Sequence, residues 1–235
     1  MNFRLPYHLF VFALLGFLLP SKAGADEAAE RILAGVRHGV ALQEGELTGY
    51  MRRSGKRTPL TMRMREDDIS FQFYHEKKWT GFMLKMNEGN AKLFELNGGK
   101  AAPFPKDKIG EPILGSDVTY EDLSLRFLYW KESTVEGEET IKTQKTYKIR
   151  LVNPDESGIY GIVYIWVHQK YGALMQVAGY ARNGNLLKRF HVTELMKIGK
   201  QQTLKKMNVE TYQPGTDKVI GVTYLEFEKP KKKGL

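Results

Sequence analysis

Gly115-Ser-Asp-Val-Thr-Tyr-Glu-Asp-Leu-Ser-Leu-Arg-Phe-Leu-Tyr-Trp130 decides the reading of the chain, because it carries a helical pattern inside a sequence otherwise built on alternation. Thr119 is placed to cap a helix, with Asp122 three residues on as the reciprocal partner and Glu121 and Asp122 at the positive end of the dipole. At helical spacing Tyr120, Leu123, Phe127 and Leu128 share one face, while Glu121, Asp122 and Arg126 fall elsewhere. So short a helix is marginal alone, and its apolar face must dock on other elements. The expected support is the concave side of a curved antiparallel sheet, with the helix as a lid over an apolar pocket.

On the N-terminal side of this stretch, alternation with period two predicts strands. Leu60, Met62 and Met64 alternate with Thr61, Arg63 and Arg65, and Ile69, Phe71 and Phe73 alternate with Ser70, Gln72 and Tyr74. Phe82, Leu84 and Met86 continue the pattern, and Lys92, Phe94 and Leu96 follow it less cleanly. Turn signals such as Ser54-Gly55-Lys56, Asp67-Asp68 and Asn97-Gly98-Gly99 separate the runs, so neighbouring strands are expected to be antiparallel. Residues 101–112 hold Pro103, Pro105 and Pro112 and read as a loop leading into the helix.

After Trp130 the strand pattern resumes through seven further runs, from Glu132 to Phe227. Ile159 to Val167 is apolar at both parities and is expected to be covered on both faces, as a central strand under the lid. The total is about eleven strands and two helices, and an open sheet of that many strands twists and curls. Helices laid into the mouth of a curled sheet leave a cavity between the two.

Residues 26–40 supply the first helix, with Ala28, Ile32, Leu33 and Val36 at helical spacing. Before them, Arg4, an apolar run from Leu9 to Leu19 and the triplet Ala23-Gly24-Ala25 make residues 1–25 a secretory signal, cleaved before Asp26. The apolar run is too short to favour a membrane anchor. Residues 26–228 are expected to form one domain and residues 229–235 a solvated basic tail. The chain has no cysteine, so disulfides, thiolate catalysis, cysteine-ligated metal and lipid attachment at a processed N-terminal cysteine are excluded.

The formal charge of +9, or +7 once Arg4 and Lys22 leave with the signal, points an exported protein toward anionic headgroups, envelope polyanions or an acidic partner. Nucleic acid is not expected, since the aromatic residues are scattered and form no nucleic-acid-reading motif. The five histidines show no metal spacing. Ser116 lacks the strand–elbow–helix context of a hydrolase nucleophile, and no glycine-rich phosphate cradle occurs. Acidic pairs such as Asp67-Asp68 and Glu138-Glu139 read as solvated turns. No catalytic residue, metal or cofactor is therefore expected. Met62, Met64, Met83, Met86, Met175, Met196 and Met207 all fall in strand runs, either as ordinary core or as a surface that adapts to variable apolar partners.

The order of exported signal, first helix and strand meander, followed by Ile113-Leu-Gly-Ser-Asp-Val-Thr-Tyr-Glu-Asp-Leu123, Tyr147-x-Ile-x-Leu151, Val163-Tyr-Ile-Trp-Val167, Gly184-Asn-Leu-Leu-Lys188 and Met207-x-Val209, resembles the LolA-like outer-membrane lipoprotein-sorting proteins. The resemblance implies an unclosed β-barrel of LolA/LolB type with short helices as its lid, whose interior holds the acyl chains of a lipoprotein or lipid crossing the periplasm. It also implies donor and acceptor proteins at the inner and outer membranes. The strand arginine associated with lid closure in such carriers has no firm match, with Arg52 and Arg53 the nearest. The residues expected to line the cavity are Leu60, Met62, Met64, Ile69, Phe71, Phe73, Phe82, Leu84 and Met86 on the sheet, and Leu123, Phe127 and Leu128 on the lid. The alternative is an envelope sensor or interaction module whose concave face grips a peptide or partner protein.

Overall fold

The structure, a computed structural model, describes residues 26–41, 44–87, 90–154, 156–198 and 201–229. The expected signal segment and the tail from residue 230 onward lie outside the described residues. Glu27–Ala41 forms α1, with Glu27 and Glu30 in its first turn and His38 in its last. Ala29, Leu33 and Val36 are its buried positions, with Ile32 packed beside them; Ala28 is only half-buried.

The strands are β1 (Gly45–Arg53), β2 (Lys56–Arg65), β3 (Asp68–His75), β4 (Lys78–Asn87), β5 (Asn90–Asn97), β6 (Lys100–Pro103), β7 (Glu132–Ile141), β8 (Gln144–Val152), β9 (Ile162–His168), β10 (Leu174–Tyr180), β11 (Leu186–Ile198), β12 (Gln201–Tyr212) and β13 (Val219–Phe227). Alternation in β2, β3 and β4 does what period two demands: every second side chain is buried, and the registers Leu60↔Phe73, Met62↔Phe71 and Met64↔Ile69 bring the apolar rows side by side. All thirteen strands lie in one antiparallel sheet, in the order β6-β5-β4-β3-β2-β1-β13-β12-β11-β10-β9-β8-β7. The first and last strands therefore meet in the middle, with Gly49 opposite Phe227. Strands β6 and β7 are the two edges, so the sheet is not closed.

Among the described residues thirteen strands replace the expected eleven. β1 offers a sparse signal, since its buried positions are Leu47, Gly49 and Met51. β6 is hidden by its proline: the residues read as loop from Ala101 onward in fact begin with a ladder to β5, and Pro103 closes that ladder at the sheet edge. β9 is the third strand in from one edge rather than the centre of the sheet, yet its Val163, Ile165, Trp166 and Val167 are all buried, as apolar residues at both parities require.

Residues 104–131 join the two edges and cross the face between them. Buried apolar side chains from both halves of the sheet, from α1 and from this crossing segment join one cluster, so the sheet is curled round a shared interior. The helix expected in the segment is broken. α2 (Tyr120–Ser124) ends where the Ser124 hydroxyl donates to the Glu121 carbonyl at 2.7 Å, and Leu125 turns left-handed at φ 51°. A 3-10 turn, Arg126–Tyr129, then delivers Phe127 and Leu128 to the interior. Arg37 of α1 donates to the Leu128 carbonyl at 2.8 Å and lies over the Tyr129 ring, which fixes α1 against this turn.

Candidate functional site

The interior gathers the twelve side chains expected to line it. Leu60, Met62, Met64, Ile69, Phe71, Phe73, Phe82, Leu84 and Met86 on the sheet and Leu123, Phe127 and Leu128 on the crossing segment are all buried in the one cluster. Register puts Ile69 opposite Leu84 and Phe71 opposite Phe82, whose rings stack at 5.2 Å. Phe82 also meets the Tyr120 ring edge-on at 5.3 Å, and Phe104 meets Tyr120 at 4.8 Å, so aromatic contacts tie the crossing segment to β4. Of the methionines, Met62, Met64, Met86 and Met196 are buried, while Met83, Met175 and Met207 are half-buried. Trp130 is buried in the same cluster.

Where a hollow was expected beneath α2, the side chains of Val118, Leu123 and Ser124 are buried. A cleft of about 170 Å³ lies instead at the rim, between Met51, Arg53, Ser54, Lys56 and Thr58 on one side and Leu114, Gly115 and Ser116 on the other.

The segment 115–124 also departs from its expected polarity, because Glu121 and Asp122, placed by helical spacing away from the docked face, are 3% and 4% exposed. They belong to a polar network that fastens the crossing segment to the sheet. The Thr119–Asp122 capping box is formed, with Thr119 N–H donating to Asp122 Oδ2 at 2.7 Å and Asp122 N–H donating to the Thr119 hydroxyl at 3.3 Å. Asp122 accepts two further bonds, from Lys188 Nζ of β11 at 2.8 Å and from the Tyr160 hydroxyl at 2.5 Å. Lys188 also donates to the Asp117 carbonyl at 2.5 Å.

Asp117 carries the second anchor. Its Oδ2 accepts from Arg53 Nε of β1 at 2.8 Å and from the Thr223 hydroxyl of β13 at 2.9 Å, and its own N–H donates to Thr223 Oγ1. The carboxylate lies so close to Gly221 that a side chain there would collide with it. Glu121 makes the third anchor, accepting from Ile159 N–H at 2.6 Å. Burial pushes the Glu121 carboxyl up to about 7, and neighbouring Asp122 adds to the rise, against the Ile159 hydrogen bond and the charges of Arg126 and Lys188, which pull it down. Burial and the adjacent Asp122 raise the Tyr160 phenol well above its ordinary range.

These groups are occupied with one another, and what they do is hold. Buried charge is tolerable only when paired and hydrogen-bonded, and here Lys188 and Asp122 are both. Sequence reasoning missed Lys188, Tyr160 and Thr223 as their partners. A signal existed for Lys188, which shares the inward parity of Phe190 on β11 and so sets a cation on a buried face. Arg52 and Arg53 divide: Arg53 pairs with Asp117, while Arg52 pairs with Glu226 and lies over Tyr224. Among the described residues no cluster of His, Cys, Asp or Glu could hold a metal ion, and no helix is long and apolar enough to cross a membrane.

Solved structures from several bacteria share this architecture. A domain from Vibrio parahaemolyticus, named for outer-membrane lipoprotein sorting, matches at 18% identity over 88% of this chain and 94% of its own, with a TM-score of 0.66. A LolA superfamily protein from Nitrosomonas europaea matches at 15% identity over 86% and 91%, with a TM-score of 0.62. A DUF1329 family protein from Desulfovibrio piger matches at 14% identity over 88% and 93%, with a TM-score of 0.60. No curated protein matches the sequence. A family model described as "Uncharacterized protein" matches residues 83–234. The chain belongs to that family, and its fold is LolA-like. In this LolA-like chain the matched span begins within β4 and runs past the end of β13, so it includes the crossing segment and its partners Tyr160, Lys188 and Thr223, while Arg37 and Arg53 lie before it.

Proposed function

We propose that the protein is an exported, periplasmic, non-catalytic carrier that holds the acyl chains of a lipoprotein or lipid between the curled sheet and the crossing segment. The observation that supports this reading is the single apolar cluster to which both contribute, in which the twelve residues from Leu60 to Leu128 are all buried, within a sheet that is not closed. Because the sheet is unclosed, its edges can part without breaking a ladder. The crossing segment is fastened unevenly: its first part by the buried anchors of Asp117, Glu121 and Asp122, its last part, with Phe127 and Leu128, by apolar contact, the Arg37 hydrogen bond and a hydrogen bond from Arg126 to the Ser157 hydroxyl. The filled interior is then the closed state, and an arriving chain displaces Phe127 and Leu128 while the anchored part stays. Burying one methylene is worth about 0.8 kcal/mol, so a chain of roughly ten carbons gains enough to exceed the costs of association. Proteins at the inner and outer membranes would load and unload the carrier.

The packed interior also favours a second reading, an envelope sensor or interaction module that binds a peptide or partner protein and no lipid. Native mass spectrometry of the protein purified without detergent from its own envelope separates the two. A co-purifying acylated molecule supports the carrier; a fixed protein partner on a lipid-free chain supports the module and removes the carrier.

A further inference from the structure

The rim cleft has the two-sided character of an amphiphile site. Its floor is apolar: Met51 is 3% exposed and belongs to the central cluster, and Leu114 packs against that cluster. Its outer side carries Arg53, Ser54 and Lys56, while Thr58 is buried opposite Met51. Arg53 spends Nε on Asp117, its side chain is 42% exposed, and its terminal nitrogens have no partner among the described residues. Lys56 is exposed and makes no ion pair among the described residues. Asp117 is the nearby carboxylate, and it is turned inward to Arg53 and Thr223, leaving the cations to face the opening.

We infer that this cleft is the subsite for an anionic headgroup, a phosphate or carboxylate, on the amphiphile whose acyl chain occupies the interior; the inference rests on the carrier reading above. Size agrees with that division. A volume of about 170 Å³ is below the range of pockets that enclose a whole drug-sized ligand, which suits a headgroup rather than a whole amphiphile. A guanidinium with two free terminal nitrogens is suited to two parallel bonds to oxyanion oxygens, and an ammonium supplies a point charge beside it.

The surrounding charge points the same way. Strands β1 to β6 form an antiparallel meander, so the β1–β2, β3–β4 and β5–β6 turns lie at one end of the sheet. That end presents Lys56, Arg57, Lys77, Lys78 and Lys100, with Glu76 as the acid among them. A rim so biased raises the local concentration of anions and speeds their capture.

The test is a titration of the full chain with lauroyl lysophosphatidylglycerol, with monolauroylglycerol and with inorganic phosphate, followed by calorimetry at low and high salt. The anionic lysolipid is expected to bind about tenfold tighter than the neutral glyceride, with the preference shrinking in salt and phosphate alone binding far more weakly. Lys56→Glu, at an exposed position, is expected to weaken the lysolipid about tenfold and to move the neutral glyceride far less. Equal binding of the two amphiphiles, indifferent to Lys56→Glu, overturns the headgroup subsite and leaves the carrier standing. Phosphate binding as tightly as the lysolipid identifies a free-anion site and overturns the lipid assignment. Failure of both amphiphiles to bind removes the carrier and the subsite together.

Discussion

Asp122 accepts from its own N-cap, from Lys188 of β11 and from Tyr160 ahead of β9, so one carboxylate ties three parts of the chain. Asp122→Ala leaves Lys188 buried with only the Asp117 carbonyl, and the expected cost is about 3–5 kcal/mol in urea unfolding. A loss under about 1 kcal/mol would mean that the network is peripheral to stability. Glu121 gives a pH signature. Its folded carboxyl titrates at about 7 against an ordinary 4.5, so the folded chain holds a proton that the unfolded chain has released. Stability contributed by that proton is present below about pH 4.5 and falls as pH rises through the folded value, by roughly 3 kcal/mol in all. Glu121→Gln keeps an acceptor for Ile159 and loses the titration. Urea midpoints should show it more stable than the parent at about pH 8 and little different at about pH 5, and identical pH profiles would refute this. At this scale the capping box was legible, because Thr119 and Asp122 are neighbours in sequence. The burial of Glu121 and Asp122 was not, because helical spacing cannot register a lysine 66 residues away.

Among the elements, the strands with clean alternation were legible and those without it were not. Period two marks a strand only where one face is apolar, and β1 with Gly49 inward and β6 with all four residues exposed lack that contrast. The break at Leu125 was hidden for another reason: leucine is a good helix former, and the left-handed turn is imposed by the anchors before it and the interior after it. Left-handed positions elsewhere yield a prediction about turns. The β7–β8 turn puts Lys142 at φ 47° and Thr143 at φ 69°, and a β-branched residue is the poorest choice there. Thr143→Gly is expected to raise stability by about 1 kcal/mol in urea unfolding, and an unchanged or lower midpoint would contradict the strain assigned to that turn.

For the whole molecule, sheet order explains how one chain builds an enclosure with a separate cover. The meander runs outward from β1 to one edge, the chain crosses the face, and the second meander runs back from the other edge until β13 meets β1. Curling was predictable from strand number, and the shared interior from the apolar rows of β2 to β4. That the interior would be closed was not, since packing between sheet and crossing segment depends on contacts no local pattern encodes. The carrier account requires this interior to admit hydrocarbon in proportion to its length. The most direct measurement is the affinity of the full chain for a homologous series of saturated monoacylglycerols of increasing length. The account predicts that the dissociation constant falls about fourfold with each added methylene until the interior is full. Affinity that does not change with chain length, or no binding at any length, would contradict it.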